Sequence, residues 1–207
     1  MDIKEATVNY EAWMRRCGLI VHGELVHKHA RMRRNPFEFF RATYYHWAQL
    51  WPQVCAESKR APMVLSVGDL HIDSYGTWRD TEGRMCWGVD DFDESWPLPY
   101  TNDLTRLAAS AKIARKLGIL SIRTKDACEI LLKAYEQTLL NGGHPIVLAE
   151  KETQLEKLGI KSLKAPKSFW QRLTARPSIR GHLPRDVKKA LEQTLPMPNL
   201  KYRVVRR

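Results

Sequence analysis

The chain has 207 residues, 43% of them hydrophobic and 28% charged, with a formal net charge of +11. That length can bury a real core, and the composition is that of a soluble globular protein rather than a disordered or fibrous one. No run of about 18 apolar residues exists to span a bilayer, and the opening "MDIKEATVNYEAW" carries an acid and no apolar signal core, so the expected address is cytoplasmic.

In chain order, "NPFEFFRATYYHWAQLW" sets Asn35 as a cap, Pro36 at the first helical position and Glu38 in the first turn, a strong helix start. Phe37, Phe40, Tyr44, Trp47 and Trp51 recur at spacings of three and four, the stripe of a buried helix face. "PMVLSVGD" reads as a strand, and "YGTWRDTEGRMCWGVDD" as a hairpin turning near Asp80 to Gly83. After the proline-punctuated "SWPLPYTND", the segment "DLTRLAASAKIARKLG" predicts a helix with Leu104, Leu107, Ala108 and Ala111 on one side and Gly118 as its stop. A further helix is expected over Thr124 to Leu140, ending at "NGG", and another in "LAEKETQLEKLG". The order of helices, small β-unit and helices predicts a helix-dominated α+β fold.

Charge is unevenly placed. Residues 1–159 hold 21 basic and 21 acidic side chains, whereas residues 160–207 hold 13 and 2. A domain boundary is therefore expected after Gly159, with a basic, proline-containing segment, room for two short helices and a terminal strand fragment beyond it. Cys17, Cys55, Cys86 and Cys128 have no zinc-like spacing and are expected to be reduced core thiols.

The window 69–103 concentrates nine acids, with only Arg79, Arg84 and Arg106 to offset them. Such a cluster repels itself unless cations hold it. Within it, "VGDLHIDSYGTW" places Asp69, His71 and Asp73 on a bend, and Asp91 closes the hairpin, followed by Phe92 and Asp93. Carboxylates at two strand ends can serve as a general base and a hard-cation ligand, a division of labour that phosphoryl transfer uses. They can equally be turn and cap residues, for which Asp is common.

Taken together, "GDLHIDSYG", "GVDDFDE" and "NDLTRLAAS" resemble the catalytic segment of kinase-like phosphotransferases of the aminoglycoside and choline kinase type. With "RMRRNPFEFFRA" they are more closely similar to the uncharacterised family called domain of unknown function 2252, over roughly residues 28–115. The resemblance implies the C-terminal lobe of a kinase-like fold whose small hairpin unit carries the catalytic loop. It implies Mg2+ and ATP as cofactors, and a small-molecule or protein phosphate acceptor. By position, Asp69 matches the base and His71 the loop histidine, while Asp91 matches the magnesium ligand, with Asp93 beside it as a second candidate. Ser74, Asp103 and Arg41 fall at positions expected to support the nucleotide and metal, Asp103 more as a brace for the loop. Ser74 departs from the family's Asn, and a hydroxyl is the poorer magnesium ligand.

A Gly-rich loop and its lysine are not recognisable. In the resembled family they lie downstream, introduced by a strand like the closing "YRVVRR", so the chain looks like the front of a longer protein or a short form lacking the nucleotide lobe. Three functions follow as expectations: a Mg-ATP phosphotransferase or part of one, a catalytically silent kinase-like binding domain, and nucleic-acid binding through the basic segment with Phe169, Trp170 and Tyr202 available to stack.

Overall fold

The computed structural model describes residues 1–18 and 20–148, and single positions beyond them. By its contacts the chain divides into two units, Met1–Lys151 and Glu152–Arg207. The expected features beyond residue 148, namely most of the third helix, the two short helices and the "YRVVRR" strand, lie outside the described residues.

The first unit is α+β and helix-rich. It opens with two helices, α1 (Ile3–Cys17) and α2 (His22–Arg34). The Asp2 side chain caps α1 by accepting from the amides of Lys4 and Glu5 at 2.7 and 2.9 Å. Asn35 then caps the next helix, accepting from the Phe37 amide at 2.8 Å with Pro36 at the first helical position.

The aromatic run is not one helix but two, α3 (Pro36–Ala42) and α4 (Tyr44–Val54), broken at Thr43. The Phe40 carbonyl, which the amide of residue 44 would take in a continuous helix, instead accepts from Arg106 Nη2 at 2.9 Å. The Thr43 hydroxyl turns back onto the Phe39 carbonyl at 2.7 Å. Phe37 and Trp51 at the ends of the stripe are buried core.

Strand β1 (Met63–Ser66) pairs antiparallel with β4 (Trp96–Pro99) in a two-stranded sheet. The sequence pattern does not announce β4, because prolines flank Leu98; such residues fit a strand only at an edge, where their missing N–H is not needed. A second sheet has the order β2 (Tyr75–Arg79), β3 (Met85–Val89), β5 (Ile146–Val147). The β2–β3 turn is the expected one: Asp80 Oδ1 accepts from the amides of Glu82 and Arg84, and Gly83 takes φ 79°.

Helix α5 (Thr101–Lys116) ends before Gly118, which has φ 73°, and α6 spans Thr124–Leu140. The expected apolar face of α5 is corrected by the fold. Its fully buried positions are Asn102, Arg106, Ser110 and Ala114, a largely polar stripe at spacings of four, while Leu104, Leu107, Ala108 and Ala111 are half-buried. The four cysteines are free thiols, but only Cys86 is buried and Cys17 is exposed, so they are not all core residues. No helix among the described residues is long and apolar enough to cross a membrane.

Candidate functional site

The polar stripe of α5 exists to hold the loop between β1 and β2. Asp103 accepts from the Val67 amide at 2.7 Å and the Gly68 amide at 3.2 Å. One turn on, Arg106 reaches Asp69; a further turn on, the Ser110 hydroxyl accepts from the Ile72 amide at 3.2 Å. Three side chains of one helix thus satisfy backbone or carboxylate groups along residues 67–72, which a loop without a strand partner must otherwise leave to water.

Arg106 is wholly buried, and its Nε and Nη2 both donate to Asp69 Oδ1, the first at 2.7 Å. Its guanidinium carbon lies 3.9, 4.9 and 5.0 Å from the ring centroids of Phe40, Tyr44 and Trp47. The middle of the aromatic stripe is therefore a cation cage as well as core. Ring faces replace part of the hydration a buried guanidinium loses. Asn102 braces the cage by accepting from Trp47 Nε1 at 3.0 Å.

Asp69 keeps 18% of its side chain exposed. Its Oδ2 accepts no hydrogen bond among the described residues; His71 Nε2, at 3.9 Å, is too far to donate. Burial pushes the Asp69 carboxyl up to about 6, outweighing the lowering by Arg106. A carboxylate with one oxygen fixed, the other open and a proton affinity near neutrality has the properties of a general base.

His71 is fully buried and packs edge-on against Phe37 at 5.6 Å. Its Nδ1 accepts from the Asp73 amide at 3.1 Å, which leaves the proton of the neutral ring on Nε2. Burial pushes His71 down to about 4, so the ring is neutral near pH 7. Its Nε2 has no hydrogen-bond partner among the described residues. Ser74, also fully buried, accepts from the His71 amide at 3.1 Å and donates to the Asp69 carbonyl at 3.3 Å. Its hydroxyl is committed to closing the loop rather than turned outward as a ligand.

Asp69 and Asp91 are not at the ends of neighbouring strands, since β1 and β3 belong to different sheets. Two other contacts bring their segments together. The Asp90 amide donates to the Ser74 carbonyl at 3.1 Å, extending the β2–β3 ladder past Tyr75 and Val89. At Gly68, φ is 88°, and a Cβ would strike the Glu94 carbonyl and crowd the Tyr44 hydroxyl. Glycine here lets the loop lie directly on the Asp93–Ser95 turn.

That turn belongs to an acidic segment whose Asp91, Asp93 and Glu94 form no ion pair among the described residues. Partial desolvation first, then Asp91 and Asp93, push the Glu94 carboxyl up. The donor set suits a hard cation held through one or two carboxylates plus phosphate oxygens, the mode magnesium favours. Among the described residues no group of three or more His, Cys, Asp or Glu is arranged to hold an ion by itself.

Beside this turn opens a cavity of about 420 Å3 between α1, α2, the α3–α4 junction and Glu94. Arg41 lines it with Lys28, Asp93 and the rings of Tyr10, Trp13, Tyr44 and Tyr45. Lys28 Nζ sits 5.5 and 5.7 Å from the ring centroids of Tyr10 and Tyr45, which stack on each other at 4.2 Å. Arg41 also lowers the proton affinity of both Asp69 and His71. Arg41, Asp69, His71, Asp91 and Glu94 thus share one electrostatic neighbourhood, whereas Asp103 faces the loop backbone from α5.

Sequence reasoning missed Arg106, Tyr44, Lys28 and Glu94 as site residues. The signal for Arg106 was present as an arginine set among the small and apolar residues of "LTRLAAS", beside an acidic window. The aromatic stripe hid the rest, because a ring that cages a cation has the same spacing as one that fills a core.

The family model described as "Uncharacterized protein conserved in bacteria (DUF2252)" matches residues 21–193, and the chain belongs to that family. No curated protein and no solved structure matches it significantly.

Proposed function

We propose that this family member is a kinase-like phosphotransferase, or the catalytic part of one, moving the terminal phosphate of ATP to a hydroxyl acceptor. The observation that carries the reading is Asp69: Oδ1 anchored by a buried arginine, Oδ2 without a hydrogen bond, and the carboxyl pushed up to about 6 beside an acidic turn that forms no ion pair among the described residues. Asp69 Oδ2 takes the acceptor's proton as the acceptor oxygen bonds to the γ-phosphorus. The bond from that phosphorus to the bridging oxygen breaks, and its electron pair leaves with ADP. Magnesium, held by Asp91, would neutralise charge on the phosphates. Asp103 and Arg106 keep the loop and the base in place, and neutral His71 adds no further cation beside the Oδ2 of Asp69.

The reading is tested by titrating ATP with and without magnesium. Binding that needs the metal and disappears in Asp91→Ala, with transfer lost but binding kept in Asp69→Asn, is the expected result. ATP affinity indifferent to magnesium would instead favour a catalytically silent binding domain, a reading that the inward commitment of the Ser74 hydroxyl also supports.

A further inference from the structure

We infer that the cavity beside the Asp93–Ser95 turn binds the phosphate acceptor, and that this acceptor is a small hydroxyl-bearing zwitterion: its anionic group meets Lys28 and Arg41, its ammonium meets Glu94 and Asp93. The identification as acceptor rests on the phosphotransferase reading; the zwitterion specificity does not.

The cavity walls carry two cations and two acids. Opposite charges lining one small space ordinarily close on each other. Here neither Lys28 nor Arg41 forms an ion pair with any described residue, and neither do Asp93 and Glu94. Lys28 sits over Tyr10 and Tyr45 instead.

Charge balance then selects the ligand. A purely anionic molecule would satisfy Lys28 and Arg41 but face two carboxylates, and a purely cationic one would meet the reverse. A neutral molecule leaves both poles unpaired in a partly desolvated space, which is costly. A molecule carrying both charges answers each pole. The volume of about 420 Å3 lies at the small end of ligand sites, which suits an amino-acid-like compound. The cavity also shares its wall with the candidate base: Tyr44 lines it and cages Arg106, and Glu94 lies against Gly68, the residue before Asp69.

The experiment is calorimetric titration of the intact chain, without nucleotide, using L-serine, L-homoserine and 4-hydroxy-L-proline. The N-acetyl and methyl-ester forms of each serve as single-charge controls, with glucose 6-phosphate and glucosamine as unrelated anionic and cationic probes. At least one free hydroxy-amino acid is expected to bind, and blocking either charge should weaken it about tenfold or more. Lys28→Met, which keeps an apolar stem over the tyrosines, should weaken the free acid about tenfold while leaving binding of its N-acetyl form no stronger. Absence of binding by all three free acids overturns the inference, as does equal or tighter binding of the blocked forms or of either sugar. Because no ATP is present, failure here leaves metal-dependent ATP binding standing, and failure of ATP binding leaves this site standing as a zwitterion site without phosphoryl transfer.

Discussion

Arg106 places two nitrogens on one oxygen of Asp69 and none on the other. The pair is both a structural clamp and an orienting device, because the guanidinium is fixed independently by three rings and the Phe40 carbonyl. The carboxylate therefore cannot rotate to chelate arginine through both oxygens without tearing Arg106 from its cage. That constraint leaves Oδ2 without a hydrogen-bond donor among the described residues, with His71 Nε2 3.9 Å away.

Replacing Arg106 should be among the most destabilising changes in the first unit. Arg106→Met removes one partner of a buried pair and strands Asp69, a loss of about 3–5 kcal/mol. Arg106→Lys keeps the charge but loses the planar fork that serves Asp69 and Phe40 together, and should still cost about 2 kcal/mol. Urea unfolding at neutral pH measures both. A lysine variant within about 0.5 kcal/mol of wild type would mean that the cage does not hold the guanidinium as described.

Asp69 and His71 titrate against each other. Asp69 is raised from 3.8 to about 6, so its contribution is present at low pH and is lost as pH rises through 6. His71 is lowered from 6.5 to about 4, so its contribution is present at neutral pH and is lost as pH falls through 4. Between about pH 4 and 6 the folded chain holds the proton on Asp69 and the unfolded chain holds it on His71, and the two slopes cancel. Single variants should uncover them. Relative to wild type, Asp69→Asn should gain stability with rising pH, and His71→Gln should lose it, each by about 1.4 kcal/mol per pH unit. Urea midpoints at half-unit steps would read the tilts, and parallel curves for all three proteins would contradict the shifts.

How much of this was legible in the sequence depends on the range of the forces involved. The Asp80–Gly83 turn, the Asn35–Pro36 start and the Gly118 stop are fixed by contacts within a few residues, and they fall where the residue pattern puts them. The Thr43 break, the β4 strand and the polar face of α5 are set by partners 30 or more residues away: Arg106 on Phe40, β1 on β4, and the loop amides on Asp103 and Ser110. Periodicity carries no record of such partners. The same holds for the site. Asp69, His71 and Asp91 are marked by their motifs, whereas Tyr44 and Arg106 acquire a role only once the loop is folded against them.

Gly68 is a point where backbone conformation and site geometry meet. Alanine there would need φ near 88° and would drive its Cβ into the Glu94 carbonyl. Gly68→Ala should cost about 2 kcal/mol or more, and it should separate the loop from the acidic turn. Gly18, extended and with open space around a built Cβ, is the matched control. Gly18→Ala should lie within about 0.5 kcal/mol of wild type. Equal effects at the two sites would show that the close approach at Gly68 does not exist.

Asp103 offers the cleanest separation of brace from chemistry. Its two oxygens take the amides of Val67 and Gly68, and Oδ1 also accepts from Asn102 Nδ2 at 3.1 Å. An asparagine can present an oxygen to only one of the two loop amides and must turn its own N–H groups toward the other. Asp103→Asn should therefore leave one loop donor unmet at a cost of about 1–3 kcal/mol. Amide exchange at Val67 or Gly68 should accelerate accordingly, while exchange in the β2–β3 ladder changes only by any loss in global stability. Asp126→Asn, which breaks the exposed pair with Arg123, should cost under about 1 kcal/mol and leave the loop amides unaltered. If Val67 and Gly68 exchange no faster in Asp103→Asn than in that control, the loop is held by something other than α5.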